Sequence, residues 1–368
     1  VDIILTGELN NSSSALLQSN KLLTINTNGD ITNNNGTLAS IETASINGNN
    51  FINSGTVVAK SDTLSVNVNT LTNQGTLTGT GIILNVNELN NDTENGKIYS
   101  YEDVDLNIAD NFTSTDGALI HAETDITLDA GGNVTSTDST IEAVNDVDIN
   151  SQNMANSGTV LAQGGQLTIE TETIENEGTL AGNGITLDIN VLNNGTENGK
   201  IYSYANVDLN IADNLTNTSG ALVHADESVT LNTSGNVTNT GSSIEAVNTV
   251  DINASNISNS GTVLTQNGRL TINTLSIGNQ GTFAGNGVTL DTKELNNRTA
   301  NGKIYSSTDV DLNIAENFTS TGGALVHAET NTTLDAGRNV TNTNSTIEAV
   351  NAVSINSEKW TNSGMGFE

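Results

Sequence analysis

The sequence predicts an all-β protein, a parallel β-helix (β-solenoid) built from coils of 19–22 residues. Three observations predict the β-helix: a repeat of 103 residues, a shorter repeat of about 20 residues within it, and alternating apolar and polar residues in each short repeat.

One motif makes the long repeat visible. NSGTVVA at 53–59 returns as NSGTVLA at 156–162 and as NSGTVLT at 259–265, each time after 103 residues. We therefore expect a single continuous β-helix rod over 1–368, in which five coils form one superrepeat. Its expected divisions are a partial unit at 1–52, superrepeats at about 53–155, 156–258 and 259–361, and the start of the next at 362–368.

The short repeat follows from one apolar anchor per coil, placed after a Gly-Thr or similar pair. The anchors step by 20, 21, 21, 22 and 19 residues, which predicts about 17 coils in the whole chain. The anchor positions in one superrepeat are Val57, Leu77, Ile98, Leu119, Ile141 and Val160.

A single coil, residues 55–73, has the sequence GTVVAKSDTLSVNVNTLTN. Val57 and Ala59 lie two residues apart, then Leu64, Val66 and Val68, then Leu71, a period of two that is typical of strands with one buried face. Turn-forming residues separate the strands, so we expect three short strands per coil. In the NSGT motif, Asn and Gly are expected to supply a turn with positive φ, and Thr to lead into the strand.

The composition fits stacked coils. Proline and cysteine are absent and aromatic residues make up 3% of the chain, as a thin core and uninterrupted hydrogen-bond ladders require. Asn and Thr side chains can form ladders between coils. Without cysteine, the chain has no disulfide framework and no cysteine-based metal or redox site.

The charge excludes two classes of partner. Asp and Glu number 42 against 10 Lys and Arg, a formal net charge of −32. Nucleic acid and anionic membrane surfaces both require basic patches, so we expect neither as a partner. No apolar run is long enough for membrane insertion, and no signal peptide is recognisable. The expected context is the interior of a longer protein.

The best candidate for an interaction surface is the repeated GKIYS sequence. Its tyrosine should face outward, because it alternates with inward-facing residues, and an exposed Tyr beside a Lys can contact a glycan or a protein. Alternatively, the pair merely covers apolar surface. The candidate residues are Lys97, Tyr99, Lys200, Tyr202, Lys303 and Tyr305.

All three histidines occupy equivalent positions: His121, His224 and His327. Inward and outward positions alternate along a strand, and this alternation gives each histidine the inward position that Ala59 and Ala162 hold in other coils. Such a histidine could form a metal or pH-sensitive site, but a corner histidine hydrogen-bonded inside the coil is the favoured interpretation.

Carboxylates also recur. In DVDLNIAD, Asp103 and Asp105 should face outward with Asp110 at the next turn. Calcium binding or glycoside hydrolysis is conceivable there, but a solvated acidic face that prevents sideways aggregation is favoured. Coil steps of 19–22 residues leave no room for active-site loops. We therefore predict no enzyme, no catalytic or metal-binding residue and no cofactor.

The sequence also contains Asn-x-Ser/Thr sequons for glycosylation, at Asn111, Asn194, Asn214 and Asn317 among others. They are weak evidence for glycosylation, because a chain so rich in Asn and Thr contains such sequons by composition alone.

Three segments carry a family resemblance: LTNQGTLTG (71–79), IENEGTLAG (174–182) and IGNQGTFAG (277–285). They resemble the filamentous haemagglutinin repeat, whose consensus is close to LxNxGxIxAxxxLxLxAxxLxN, and the resemblance extends over essentially the whole chain. It implies a right-handed β-helix rod from a large exoprotein of a Gram-negative two-partner secretion system. Such proteins are exported by an outer-membrane β-barrel transporter and are secreted or displayed at the cell surface.

The expected function is that of a structural and adhesive rod segment that contacts host or neighbouring cells through an unidentified receptor or glycan. The alternative is the stalk or receptor-binding filament of a contact-dependent growth inhibition toxin. The family's secretion domain and a toxin domain are not recognisable here, so the sequence leaves both open.

Overall fold

A computed structural model describes residues 1–364. All the regular secondary structure within that range is β-strand. The chain forms two compact units, unit 1 covering residues 1–183 and unit 2 beginning at Gly184. Each unit is a parallel β-solenoid, and the coils number about 17 in total, as predicted. The predicted single rod with its superrepeats stays a prediction, and of 362–368 only residues up to Gly364 are described.

The strands of unit 1 are mostly four or five residues long, with longer ones where a strand continues around a corner. They are β1 (Asp2–Leu5), β2 (Leu9–Ser12), β3 (Leu16–Ser19), β4 (Leu23–Thr27), β5 (Ile31–Asn34), β6 (Thr37–Ser40), β7 (Ala44–Asn47), β8 (Asn50–Asn53), β9 (Thr56–Ala59), β10 (Leu64–Asn73), β11 (Thr76–Gly79), β12 (Ile82–Asn91), β13 (Lys97–Ser100), β14 (Val104–Ile108), β15 (Phe112–Thr115), β16 (Leu119–Ala122), β17 (Ile126–Ala130), β18 (Asn133–Thr137), β19 (Thr140–Ala143), β20 (Val147–Asn150), β21 (Asn153–Asn156) and β22 (Thr159–Asn176).

The division between the units falls within β23 (Thr179–Asn194). The remaining strands belong to unit 2. They are β24 (Lys200–Ser203), β25 (Val207–Thr218), β26 (Leu222–Ala225), β27 (Val229–Thr233), β28 (Asn236–Thr240), β29 (Ser243–Ala246), β30 (Val250–Asn253), β31 (Asn256–Asn259), β32 (Thr262–Thr265), β33 (Leu270–Asn279), β34 (Thr282–Gly285), β35 (Val288–Arg298), β36 (Lys303–Ser306), β37 (Val310–Thr321), β38 (Leu325–Ala328), β39 (Asn331–Ala336), β40 (Asn339–Thr343), β41 (Thr346–Ala349), β42 (Ala352–Asn356) and β43 (Lys359–Ser363).

A coil consists of three strand segments, and each segment pairs in parallel with the segments one coil before and one coil after. β11 pairs with β9 and β13, while β12 pairs with β10 on one side and with β14 and β15 on the other. Residues one coil apart are aligned across each pair. Apolar side chains at inward positions therefore stack directly upon one another, which explains why the same residue types recur with the coil period.

The core shows that one predicted anchor was wrong. The stacked, fully buried column contains Ile120, where Leu119 was expected. Ala118 turns inward at the preceding corner, so Leu119 aligns with the outward Lys97. An extra residue in a turn shifts every following side chain to the opposite face. The complete column is Val57, Leu77, Ile98, Ile120, Ile141 and Val160.

The glycine of the NSGT motif serves close packing. Gly55, Gly158 and Gly261 do not have positive φ, and Asn53 points into the core, so the predicted positive-φ turn is wrong. A Cβ on Gly75 would lie 2.2 Å from the carbonyl oxygen of Gly55, and one on Gly55 equally close to that of Gly36. Only glycine allows successive turns to stack this closely.

A ladder of buried asparagines, here called the inner ladder, runs beside the apolar core. In unit 1 the Nδ2 group of Asn53 donates to Oδ1 of Asn73 over 2.8 Å, and to the carbonyl of Thr76 over 3.4 Å. Each asparagine thus bonds the next asparagine and closes the turn that begins the next coil. The ladder members of unit 1 are Asn11, Asn33, Asn53, Asn73 and Asn91, then Asn156 and Asn176.

Unit 2 contains the inner ladder from its start. Its consecutive members, joined by bonds of 2.9 Å, are Asn194, Asn217, Asn239, Asn259, Asn279 and Asn297. Residues 1–364 contain no helix long and apolar enough to cross a membrane.

Candidate interaction surface

The predicted tyrosines lie on an outward face, as expected. Tyr99 follows the buried Ile98 and precedes the buried Ser100 on β13, so its ring points out. Tyr101 lies at the next turn with 60% of its surface exposed, and its ring meets that of Tyr99 edge-on at 5.2 Å between centroids. These two rings begin a group that we call cluster 1: Tyr99, Tyr101, His121, Glu123 and Glu142.

His121 joins this outward group, so the prediction that the histidines face inward is wrong. It aligns with Tyr99 on one side and with Glu142 on the other, while Ala122 takes the inward position. The error came from the misplaced anchor, since counting by twos from Leu119 reverses inside and outside. The imidazole stacks on the Tyr99 ring at 4.7 Å and 13°.

One carboxylate is hydrogen-bonded to His121 and a second lies near it without a hydrogen bond. Its Nδ1 lies 2.9 Å from Oε1 of Glu142, and its Nε2 lies 3.5 Å from Oε1 of Glu123. Its side chain is only 12% exposed, because Tyr99 covers one face of the ring. The histidine is thus a packed part of the surface, fixed by ring stacking and by hydrogen bonding.

Tyr99 and Glu123 are directly coupled. The tyrosine hydroxyl donates to Oε1 of Glu123 over 2.6 Å. This bond, together with partial burial, raises the pKa of Tyr99 to about 12. The same bond holds the pKa of Glu123 below its ordinary value, against the opposing effect of desolvation. Cluster 1 is therefore a preorganised arrangement at neutral pH, with a neutral phenol and an ionised carboxylate.

Unit 2 contains a similar group, cluster 2: Tyr202, Tyr204, His224, Asp226 and Glu245. Tyr202 stacks on His224 at 4.9 Å and meets Tyr204 edge-on at 5.1 Å. The imidazole lies 3.0 Å from Glu245 and 2.9 Å from Asp226. The shorter Asp226 leaves a longer bond of 3.4 Å to the Tyr202 hydroxyl. Burial, then the charge of Asp226, raises the pKa of Tyr202.

Cluster 3, also in unit 2, contains Tyr305, His327, Glu329 and Glu348, with Ser307 in place of a second tyrosine. Tyr305 stacks on His327 at 5.0 Å, and its hydroxyl donates to Glu329 over 3.0 Å. Burial opposes a charge on His327, but hydrogen bonds to Glu348 at 2.7 Å and Glu329 at 3.2 Å outweigh it. They raise the pKa of this histidine above its ordinary value.

The predicted lysines lie beside the clusters and do not take part in them. Lys97 and Lys303 begin the strands that carry Tyr99 and Tyr305, and both are exposed. Neither forms an ion pair within residues 1–364. Lys200 holds the same exposed position before Tyr202.

Sequence reasoning missed the acidic members of the clusters. One signal was available, since an acidic residue follows each histidine by two positions, as in HAE and HAD. The second acidic residue lies one coil later, in IEA, and only the correct register reveals that it faces the histidine.

The other sequence candidates divide by burial. Asp103, Asp105 and Asp110 face outward as predicted, and burial followed by the Asp103 charge raises the pKa of Asp105. Over residues 1–364 no three His, Asp or Glu side chains are arranged to hold a metal ion. Among the sequons, Asn111 and Asn214 are exposed, whereas Asn194 is fully buried in the inner ladder. A sugar could therefore not be attached to Asn194 in the folded chain.

Comparisons of the chain with protein-family models, with curated proteins and with solved structures find no match. The function must therefore be inferred from the geometry of the clusters and from the scaffold that carries them.

Proposed function

We propose that this chain is a structural and adhesive segment of a large secreted or surface-displayed exoprotein, and that its clusters contact the surface of another cell. One observation carries the proposal: the same outward arrangement of tyrosine, histidine and carboxylates recurs in clusters 1, 2 and 3 on a scaffold with a filled interior. Aromatic rings fixed by their neighbours lose little entropy on binding, which favours them as contact residues.

The proposal includes a filamentous haemagglutinin-type repeat region with right-handed coils and a five-coil superrepeat. Export through the outer-membrane transporter of a Gram-negative two-partner secretion system is part of it. Support comes from the physical roles of the repeat motif LxNxGx. Its asparagine occupies the inner ladder, and its glycine occupies the tight turn where no Cβ fits. The motif thus has a structural reason to recur in every coil that keeps the ladder.

Repetition is the proposed source of affinity. A cluster has only four or five side chains, whereas a standard protein interface uses roughly 20–30 residues from each partner. One cluster alone should therefore bind weakly. Several clusters on one chain can engage the same cell surface together and raise the avidity without any new contact.

We propose no catalytic role for the clusters. Each histidine is fixed between a tyrosine ring and carboxylates, and no serine, threonine or cysteine nucleophile is hydrogen-bonded to it within residues 1–364. The arrangement can bind and pack, but it lacks the nucleophile and base pair of a hydrolase.

The test is binding of the labelled chain to host epithelial cells and to bacterial cells, measured by flow cytometry. We expect saturable binding to epithelial cells that falls about tenfold or more when all three stacked tyrosines are removed, since multivalent contacts weaken together. The variant combines Tyr99→Ala, Tyr202→Ala and Tyr305→Ala.

A matched control removes exposed apolar side chains elsewhere. Ile52, Leu275 and Val350 are 49%, 62% and 65% exposed and lie outside the clusters. Changing these three to alanine should leave binding intact. Binding to bacteria alone would favour the stalk of a growth inhibition toxin, and binding to neither cell type would refute the adhesive role.

A further inference from the structure

A polar groove crosses five successive coils of unit 1 and ends beside cluster 1. We call it groove 1. It follows the turns where each coil begins, and its open side is lined by hydroxyl and amide groups with a lysine at one end. Its lining side chains include Thr37, Ser54, Thr56, Gln74, Thr76 and Lys97.

The threonines form an aligned row. Thr37, Thr56, Thr76 and Lys97 are register partners in consecutive coils. Stacked strands lie about 4.8 Å apart, so the row repeats its hydroxyl group at that interval. Because the stacked glycines leave no space for a Cβ, the floor of the groove is backbone that side-chain movement cannot fill.

The threonine hydroxyls of this row have unused hydrogen-bonding capacity. Within residues 1–364 none of the hydroxyls of Thr37, Thr56 and Thr76 bonds to another protein group. The glycine carbonyls of the floor, by contrast, are occupied, since the Thr76 amide donates to Gly55 over 2.8 Å. The groove therefore presents an evenly spaced set of hydroxyl groups to whatever lies along it.

The same groove occurs in unit 2, where we call it groove 2. Ser243, Thr262, Thr282 and Lys303 are again register partners in consecutive coils. A Cβ on Gly281 would lie 2.1 Å from the carbonyl oxygen of Gly261, so this floor is equally tight. Groove 2 ends beside Tyr305 of cluster 3, as groove 1 ends beside Tyr99 of cluster 1.

We propose that grooves 1 and 2 each bind a linear, uncharged glycan laid across successive coils. Its sugar rings repeat at an interval close to the strand spacing, so each ring can meet one rung of hydroxyls. The proposal rests on the proposed function, because it gives the surface around Tyr99 and Tyr305 a ligand class.

The lining excludes other ligand classes. Groove 1 contains few apolar atoms, so it does not suit a lipid or an apolar peptide. It has one cation, Lys97, while Gln74 bonds to the carboxylate of Asp92 over 3.1 Å. An anionic polymer would meet that carboxylate and the −32 charge of the chain. At the end of the groove, the aromatic ring of Tyr99 can stack on the apolar face of a sugar.

The test uses the full chain and calorimetric titration with hexasaccharides. The probes are chitohexaose and cellohexaose as uncharged glycans, and a hyaluronan hexasaccharide as the anionic counterpart. We expect binding of an uncharged probe, and a Kd about tenfold weaker when hydroxyls are removed from both grooves by isosteric changes. That variant combines Thr56→Val, Thr76→Val, Thr262→Val and Thr282→Val.

The matched control makes four identical changes on other outward strands. Thr113 and Thr135 are aligned neighbours in unit 1, as Thr216 and Thr238 are in unit 2. Replacing these four by valine should change the Kd by less than about twofold.

The outcomes separate this inference from the proposed function. Cell binding without glycan binding, an unchanged Kd in the groove variant, or preference for hyaluronan would each overturn the inference and leave adhesion intact. Glycan binding without cell binding would support the inference and refute the adhesive role.

Discussion

The inner ladder differs between the two units at equivalent coils. In unit 2, Asn194, Asn217 and Asn239 follow one another without a gap, with bonds of 2.9 Å. In unit 1 the coils after Asn91 carry Ser114 and then Ser136. The strands pair in register in both places, so the backbone ladder does not depend on the side-chain ladder.

The gap in unit 1 leaves polar atoms without partners. The Oγ atom of Ser114 and the Oδ1 atom of Asn156 are buried and have no hydrogen-bond partner. A buried, unsatisfied polar atom costs about 1–3 kcal/mol. The fold therefore tolerates a missing rung. In unit 2 Ser320 interrupts the ladder in the same way.

The largest expected effect is that of breaking the complete ladder. Asn239→Ala should destabilise unit 2 by about 3 kcal/mol, because it removes the side-chain hydrogen bonds to Asn217, to Asn259 and to the Thr262 carbonyl and leaves buried groups of these partners unsatisfied. Native-state hydrogen exchange at the neighbouring coils measures the loss. Ser136→Ala at the equivalent position of unit 1 should cost about 1 kcal/mol or less. Equal effects at both positions would contradict the comparison.

Restoring the ladder in unit 1 should have the opposite sign. Ser114→Asn with Ser136→Asn rebuilds the arrangement of Asn217 and Asn239, at about 1 kcal/mol for each new hydrogen bond. Unit 2 has Leu215 two residues before Asn217, whereas unit 1 has the larger Phe112. The Ser114→Asn and Ser136→Asn variant should therefore gain most stability when it is combined with Phe112→Leu, because the smaller leucine leaves space for the new asparagine side chains.

The control for that variant is Phe112→Leu alone, which should destabilise unit 1 by leaving a cavity. Chemical denaturation of the single, double and triple variants measures the differences. A triple variant no more stable than Phe112→Leu alone would show that the rungs contribute nothing.

The tyrosines extend the comparison to the outward face. Tyr99 donates to Glu123 over 2.6 Å, and Tyr202 to the shorter Asp226 over 3.4 Å. Glu123→Asp should lower the Tyr99 pKa from about 12, and Asp226→Glu should raise that of Tyr202 further. Tyrosinate absorbance during alkaline titration reports both. A raised tyrosine pKa contributes stability that is present below the ordinary pKa of about 10 and is lost as pH rises through the folded value. Unchanged titrations would refute the role of side-chain length.

Cluster 3 provides the pH dependence near neutrality. The pKa of His327 is raised, so its contribution is fully present below the ordinary value of about 6.5 and disappears as pH rises through the folded value. Glu348→Gln should lower this pKa and reduce stability more at pH of about 5 than at about 8. Proton resonances of the imidazole give the pKa, and thermal unfolding at both pH values gives the stability. A larger loss at the higher pH would reverse the assigned sign.

The smallest effect is expected for outward asparagines such as the half-buried Asn67. Asn67 donates to Asn47 over 2.7 Å and accepts from Asn85 at the same distance. These groups can bond to water instead, so Asn67→Ser should change stability by about 0.5 kcal/mol or less. The measurement is the denaturation midpoint, beside that of Asn239→Ala. A loss as large as that of the buried rung would show that exposure does not decide the contribution of a rung.

The sequence predicted the strands, the coil count and the outward tyrosines because alternation and period determine them. It misplaced His121 because one alanine, Ala118, turns inward at a corner and shifts the count. Such corners do not recur at a fixed interval in the sequence, so the alternation of residues does not reveal them. Glu142 was missed for a related reason, since it meets the histidine across coils, and only the register brings the two together. Glu123 was missed although it follows His121 by two positions in the same coil.

The inner ladder has a direction. Its rungs donate toward the later coil, as Asn33 does to Asn53, whereas the outward asparagines donate toward the earlier one, as Asn67 does to Asn47. The side of a coil that faces the next coil along the chain therefore presents an amide donor in the interior and an amide acceptor on the outer face. The side that faces the preceding coil presents the reverse pattern. Copies of such a segment are thus compatible when joined head to tail, and mismatched when joined head to head.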